Sequence, residues 1–463
     1  MGKTQKFSKQ SEVVVEAQEA FDWHARPGAF ARLAPPWTDV RMLTDHPGID
    51  EGTRVELSMP AAGPVRVRWH ALHDRCVPGR EFRDVQEKGP FKRWEHTHSF
   101  RSRDGASGGA IVEDSIEYEL PLGALGAAVA GGMIRADLER TFTYRHRITR
   151  DDLAQHHASG LAPARIAVTG ATGLVGSALV PFLTTGGHEV MTVGRAADSD
   201  VKWDALSAEA SQGLDALNGC DAVIHLAGAN IAGGRWTDSR KEEIRESRVY
   251  GTTSLARALA RLESPPKVLV CASAVGFYGD RAVGDGEIDE SAVPGTGFLS
   301  EVCIGWEEAA EPAAAAGIRV VHLRLGVVLD ARGGALKKML LPFQLGAGGR
   351  LGSGKQPMSW VALDDVLGIV LHALATEDLS GPVNAVAPDL VDNAGYTATL
   401  ARVLRRPAIA PVPSPVVSTL FGEMGRELLL GGAPVVPGRL LSTGYDFRHG
   451  SLEDALRHTL GRR

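Results

Sequence analysis

Residues 169 to 176 read Thr-Gly-Ala-Thr-Gly-Leu-Val-Gly, set between an apolar strand (Ile166, Ala167, Val168) and an amphipathic helix. A dinucleotide's pyrophosphate requires that order. Gly170 permits the tight turn, Gly173 lets backbone N–H groups approach the phosphates, and Gly176 lets the helix pack close to the strand. Thr172, Leu174 and Val175 complete the loop, and the helix N-terminus offers unsatisfied N–H groups and its positive dipole end. A second apolar strand, Val190 to Val193, ends in Gly194-Arg195. NAD-preferring folds place an Asp or Glu there for the ribose 2′-OH. Here the next acid is Asp198, and the Arg195 guanidinium matches a 2′-phosphate in charge and fork geometry. The expectation is a site for NADP(H), weighed against a ligand-free glycine turn and a surface arginine.

Such a loop needs a scaffold of strands and helices, and from Arg165 onward the chain alternates them. Strands fit at 165–169, 189–194, 221–227, 267–273, 319–329 and 383–387. Helices fit at 174–186, 237–262, 299–316, 334–345, 363–375 and 393–405. The alternation predicts an α/β fold, a doubly wound parallel Rossmann sheet over 165–405. Residues 406–463 open with Pro407, Pro411, Pro413 and Pro415 and read as a small helical domain, with short helices around 420–430 and 452–460.

Residues 1–150 have another rhythm. Val65 to Arg75, Arg93 to Phe100 and Ile111 to Leu120 alternate apolar and polar residues, as antiparallel strands with one covered face do. Short helices fit between Glu16 and Leu33, and a long closing helix fits 123–148 although Gly131-Gly132 weakens its middle. Residues 151–164, with His156-His157-Ala158-Ser159-Gly160 and Pro163, read as an interdomain linker. Trp94, His96, His98 and Phe100 share one strand face. Two histidines two apart lack a third ligand at a suggestive spacing, so a half-polar cavity wall or a solvated sheet face is expected and no metal site is assigned.

This pattern, with the segment Gly89 to Phe100, resembles the helix-grip domains of the START-like, polyketide-cyclase type (SRPBCC superfamily). The resemblance implies an α+β domain whose curved sheet wraps a long helix and encloses an apolar ligand. Residues 165 to about 460 closely resemble an atypical branch of the extended short-chain dehydrogenase/reductases, the NAD(P)-dependent epimerase-like proteins with a C-terminal domain of uncharacterised function. The carrying segments include Leu226-Ala227-Gly228-Ala229-Asn230-Ile231, Arg235-Trp236-Thr237, Ala272-Ser273-Ala274-Val275-Gly276-Phe277-Tyr278-Gly279, Arg324-Leu325-Gly326 and Gly352-Ser353-Gly354-Lys355-Gln356. By that resemblance Leu226, Ala227, Gly228 and Asn230 lie along the riboses. Asp204 then contacts the adenine amine, or caps a helix or stays solvated.

One departure matters more than the matches. Members of that superfamily usually protonate their substrate with a Tyr whose pKa is lowered by a Lys four residues on. Phe298 and Val302 stand at those places, and neither transfers a proton. The remaining polar candidates for catalysis are Ser273 to orient a substrate oxygen, Tyr278 as a proton donor and Glu301 as a general acid or base, with Cys303 nearby. Their bland alternatives are a local hydrogen bond, packing and a solvated helix face. Arg324, Gln356 and Ser359, with the glycine-rich loop 346–359, would shape the substrate end or be ordinary surface. The expected function is an NADP(H)-dependent oxidoreductase or epimerase-like enzyme without the Tyr–Lys pair, acting on a small molecule. The alternative is a non-catalytic NADPH-binding regulatory or scaffold protein.

Composition bounds the partners. The chain has 463 residues, 44% of them hydrophobic and 23% charged, a globular profile too long for one core. A net charge of −6 without a basic run argues against nucleic acid. Met1 to Gln10 is polar, and the longest apolar run, 122–134, is too short to span a bilayer. Cys76, Cys220, Cys271 and Cys303 form no ligand spacing. A cytoplasmic protein with reduced thiols and no membrane contact is the expectation.

Overall fold

The computed structural model describes residues 4–44, 48–61, 65–103, 108–121, 123–207, 213–281, 284 and 286–462, the side chains of 123–129 excepted. Part of the apolar run 122–134 therefore lies outside the described residues. Two compact units emerge, 1–160 with 181–187 and 463, and 161–180 with 188–462.

The first unit holds β1 (Gln5–Val13), α1 (Ala17–Ala25), α2 (Ala29–Leu33), β2 (Arg41–Met42), β3 (Arg54–Pro60), β4 (Arg66–Val77), β5 (Glu81–Lys88), β6 (Arg93–Ser102), β7 (Ala110–Glu119) and α3 (Gly123–Ser159). Its seven strands form one antiparallel sheet in the order β1-β7-β6-β5-β4-β3-β2. The period-two pattern puts Trp94, His96, His98 and Phe100 of β6, and Val112, Asp114, Ile116 and Tyr118 of β7, on the buried face. The solvated sheet face expected as one option for the histidines is not what forms. Phe100 and Val112 join Tyr144 and Ile148 in one apolar cluster, while Trp94, Ile116 and Tyr118 join Leu138 and Phe142 in another. His96, His98 and Asp114 lie between the two.

The expected linker at 151–164 is helical through Ser159, which corrects that boundary. Its polar look misleads because Leu153 is buried in the core and Asp152 is fully buried under a bidentate pair with Arg32 of α2, both bonds 2.8 Å.

The second unit runs β8 (Arg165–Thr169), α4 (Gly176–Thr185), β9 (Glu189–Gly194), β10 (Val201–Lys202), β11 (Ala222–His225), α5 (Asp238–Leu259), β12 (Val268–Ala274), α6 (Phe298–Glu308), α7 (Glu311–Ala315), β13 (Arg319–Leu325), β14 (Val327–Leu329), α8 (Gly334–Gln344), β15 (Trp360–Ala362), α9 (Leu363–Ala375), β16 (Gly381–Ala385), α10 (Asn393–Leu404), α11 (Ser414–Gly425), α12 (Gly438–Ser442) and α13 (Leu452–Leu460). Seven parallel strands lie in the order β10-β9-β8-β11-β12-β13-β16. The order reverses between β8 and β11, which opens the crevice where doubly wound sheets take ligands.

Two expected elements divide. The helix expected at 299–316 breaks before Pro312, which sits in the first turn of α7, where a missing N–H costs nothing. The strand expected at 319–329 breaks at Gly326, where a Cβ would stand 2.8 Å from the Ser359 carbonyl oxygen; β14 leaves the main sheet there to pair with β15. The tail is also less separate than its prolines suggest. Val435 bridges Ile288, and α13 buries Leu452, Leu456 and Leu460 against Tyr396 and Leu400 of α10. Among the described residues no helix is long and apolar enough to cross a membrane.

Candidate functional site

The loop between β8 and α4 is held by its glycines. Gly170 has φ +69°, and a Cβ there would stand 2.8 Å from the Leu226 carbonyl carbon. A Cβ on Gly176 would lie 2.2 Å from the Gly170 oxygen, so the helix start could not seat on the turn. At the exposed Gly173 a Cβ would stand 3.2 Å from the Gly170 oxygen, a milder crowding that asks the turn to give slightly. The amides of Leu174, Val175 and Gly176 donate to no acceptor among the described residues, whereas Gly173 N–H closes the turn on Gly170 at 2.9 Å. The result is a cradle of open amides at a helix N-terminus, the arrangement that receives phosphate.

Across from it, the end of β11 is fixed by a buried relay that the sequence reading did not single out. The amides of Leu226 and Ala227 donate to Thr169 Oγ1 at 3.1 and 3.2 Å. That hydroxyl lies 2.8 Å from His225 Nδ1, and His225 Nε2 lies 3.0 Å from Thr252 Oγ1. With both N–H groups entering Thr169 Oγ1, its proton goes to Nδ1, so Nε2–H donates to Thr252. Burial lowers the His225 pKa to about 4, which keeps this neutral tautomer in place. Farther along, Ser247 Oγ accepts from Ala229 N–H at 3.0 Å, and Arg248 Nη1 donates to the Ala229 carbonyl at 3.1 Å while lying over the Trp306 ring. Asn230 is exposed, and its side chain closes a turn on Ala232 N–H at 2.9 Å.

Arg195 follows β9, exposed and without an ion-pair partner among the described residues. Its loop is braced from below by Lys202 Nζ, which donates to the carbonyls of Ala196 and Ala197 at 2.7 and 2.6 Å. Asp204 accepts from Leu206 N–H at 3.1 Å, so one oxygen already serves a local turn.

The structure brings Ser273, Tyr278 and Arg324 together, around a residue that sequence reading missed. Ser273 Oγ donates to Glu307 Oε1 at 2.7 Å, and Arg324 grips both Glu307 oxygens through Nε and Nη2 at 2.8 Å each. Arg324 Nη1 donates to Tyr278 Oη at 2.8 Å, and that hydroxyl donates to Asn384 Oδ1 at 2.7 Å. Asn384 Nδ2 in turn donates to the Val436 carbonyl at 2.9 Å. Arg324 also stacks 3.5 Å over the Phe277 ring. Tyr278 is fully buried, and burial raises its pKa above the ordinary phenol value. Ser273 and Tyr278 therefore spend their protons inside the protein. A signal for Glu307 existed: it shares an α6 face with the buried Ser300 and Cys303, at i, i+3 and i+7.

Of the other candidates only Cys303 lies beside this network. Glu301 is 66% exposed, with Arg245 at 3.4 Å, and so sits on a solvated helix face. The Cys303 thiol is pushed up to about 12 by burial. Gln356 Nε2 donates to the carbonyls of Leu351 and Leu429 at 3.1 and 2.9 Å, and Ser359 Oγ donates to the Ala433 carbonyl at 2.7 Å. Both pin the chain to its tail. Gln356 also lines an open cleft of about 530 Å³ with Asp280, Arg281, Lys355 and Asp392.

Phe298 and Val302, which by the resemblance stand where a Tyr and a Lys would be, are 5% and 2% exposed and packed with Trp236, Ile244 and Met424. The tail covers them. Glu427 receives the Phe298 and Leu299 amides at 3.2 and 3.0 Å, capping α6, and Lys241, which lies over the Phe298 ring, pairs with Glu423 at 2.8 Å.

Residues 166–386 match the model of the NAD dependent epimerase/dehydratase family. Residues 412–459 match a domain of unknown function, and residues 13–143 match the polyketide cyclase/dehydrase and lipid transport family. The chain is similar to an epimerase family protein of Mycobacterium tuberculosis, 40% identical over 299 residues, 64% of this chain and 97% of the relative. Among solved structures it is similar to human epimerase family protein SDR39U1 (isoform 2) with NADPH, at 38% identity and TM-score 0.59, over 64% of this chain and 99% of that one. It is also similar to a structure described as the nucleoside-diphosphate sugar epimerase from Corynebacterium glutamicum. There the identity is 33% and the TM-score 0.79, over 98% of this chain and 90% of that one.

Proposed function

Because this chain belongs to the NAD dependent epimerase/dehydratase family, we propose that its second unit binds NADP(H) on the 169–176 loop and acts on a small molecule without a Tyr–Lys proton donor. The observation that carries this reading is the cradle of open amides at Leu174, Val175 and Gly176, shaped so that Gly170 and Gly176 admit no Cβ. Those amides hold the pyrophosphate. Arg195 holds the 2′-phosphate, Asp204 meets the adenine end, and Leu226, Ala227, Gly228 and Asn230 follow the riboses. The human relative with NADPH supports the choice of cofactor. When bound, the nicotinamide supplies a hydride donor or acceptor. The first unit's match to polyketide cyclases and lipid transport proteins supports an apolar ligand there.

Fluorescence titration with NADPH and NADH tests the cofactor. Arg195→Ala removes a charge-assisted contact and is expected to weaken NADPH about 10- to 100-fold while leaving NADH unchanged. Equal affinities for the two cofactors, insensitive to Arg195→Ala, would refute the preference.

A second reading, a regulatory or scaffold protein that binds NADPH and catalyses nothing, is favoured by one observation: Ser273, Tyr278 and Arg324 are consumed by Glu307 and Asn384. It predicts no NADPH oxidation across a panel of carbonyls, enones and nucleotide sugars. Turnover that Gly173→Asp abolishes would reject it.

A further inference from the structure

Between the two apolar halves of the first unit's core lies a layer of imidazoles and carboxylates with no part in the nucleotide site. Asp84 of β5 is in register with His96 of β6, and Asp114 of β7 is in register with His98. One ligand-capable atom from each of Asp84, His96 and His98 falls within 4.8 Å of the others. Asp84 Oδ2 is 3.2 Å from His96 Nδ1 and has no other polar partner among the described residues. Two donors of a tetrahedral Zn²⁺ with bonds of 2.0–2.1 Å stand about 3.4 Å apart, so the spacing suits a shared ion.

Asp114 stands behind both imidazoles. Its Oδ1 is hydrogen-bonded to His96 Nε2 at 2.8 Å and lies 2.7 Å from His98 Nδ1. A carboxylate on the far nitrogen of each ring is how metal-ligating histidines are oriented. The next strand offers a fourth donor, from outside that 4.8 Å group. His73 of β4 is in register with Asp84, is 9% exposed, and its buried Nδ1 has no partner.

We propose that Asp84, His96 and His98, joined by His73, form a structural site for a divalent transition metal of the Zn²⁺ type, with Asp114 as the positioning carboxylate. Three imidazoles and one carboxylate suit Zn²⁺ or Co²⁺ and not Mg²⁺ or Ca²⁺, which take oxygen donors. The ion binds layers of the sheet at the point where the apolar core is interrupted. The signature is invisible in sequence because the third and fourth ligands come from neighbouring strands.

The test uses the full chain, stripped with a chelator, dialysed, and titrated with CoCl₂ and then ZnSO₄. Expected are one Co²⁺ per chain with a visible d–d band, displacement by Zn²⁺, and a higher thermal midpoint in Zn²⁺ than in chelator. Asp114→Asn should weaken binding about 10- to 100-fold, and Asp84→Asn and His98→Gln should abolish it. The rival group Asp364, His449 and His458 of the second unit is also within 4.8 Å, so His458→Gln serves as the control and should leave binding intact. Circular dichroism in chelator shows that each variant is folded. Wild-type protein that takes up no Co²⁺, or uptake lost in His458→Gln and kept in Asp84→Asn, would overturn the proposal.

Discussion

Gly176→Ala is expected to abolish NADPH binding, with at least about a 100-fold loss of affinity. The new methyl carbon would sit 2.2 Å from the Gly170 carbonyl oxygen and 2.8 Å from Ala171 Cα. Both are backbone atoms that cannot rotate away, so α4 and the turn must separate by about an ångström. Overpacking of this kind costs about 1–3 kcal/mol of stability, and the open amides of Leu174, Val175 and Gly176 leave their common focus. Losing two hydrogen bonds to a charged phosphate costs about 1.5–3 kcal/mol each. Gly173→Ala is the informative partner. Its Cβ would meet the Gly170 oxygen at 3.2 Å, so the turn must give only slightly and the stability loss should be smaller than for Gly176→Ala, while binding falls if the phosphates seat on these amides. Fluorescence titration and urea unfolding separate the two effects. Wild-type affinity in Gly176→Ala would remove the loop from the cofactor site.

The second large effect concerns Glu307. Its carboxylate is 13% exposed and Arg324 4% exposed, so the pair is effectively buried and bidentate. Glu307→Ala strands the guanidinium and leaves Ser273 without its acceptor. Breaking a buried pair from one side typically costs about 3–5 kcal/mol, and urea unfolding should read that loss. Ser273→Ala removes one hydrogen bond and should cost about 1 kcal/mol. Exchanging both partners for apolar residues, Glu307→Leu with Arg324→Met, should recover much of the stability, since the desolvation cost goes with the charges. A Glu307→Ala protein as stable as wild type would show that the network carries no structural weight, and would return Ser273 and Tyr278 to the list of catalytic candidates and Arg324 to the substrate end.

The cofactor loop was legible because its demands are local. A turn at φ +69° and two backbone approaches select glycine wherever they occur, and the flanking strands were apolar enough to read. The polar candidates were legible as a set and opaque in role. Ser273, Tyr278 and Arg324 do converge, but Glu307 and Asn384, which consume their donors, come from α6 and β16, and pairing across such distances leaves no spacing to read. The first unit hid four of its seven strands, β1, β2, β3 and β5, and for two of them the reason is visible. β1 buries only Phe7 and Val13 among nine residues, and β5 buries only Phe82, so neither shows sustained alternation. The polar end of α3 looked like a tether because its buried Asp152 is neutralised by Arg32, thirty residues into the chain.

The cap that Glu427 places on α6 has a consequence for anyone who would re-engineer this scaffold toward ordinary reductase chemistry. Grafting a tyrosine at 298 and a lysine at 302 installs the right letters under a closed roof. The lysine would arrive at a position 2% open to solvent beneath Met424, where an ammonium is driven to shed its proton. The graft would need the roof rebuilt as well, beginning with the two amide bonds to Glu427. In this chain the tail and the side chains at 298 and 302 pack as one unit, so a redesign of either has to include the other.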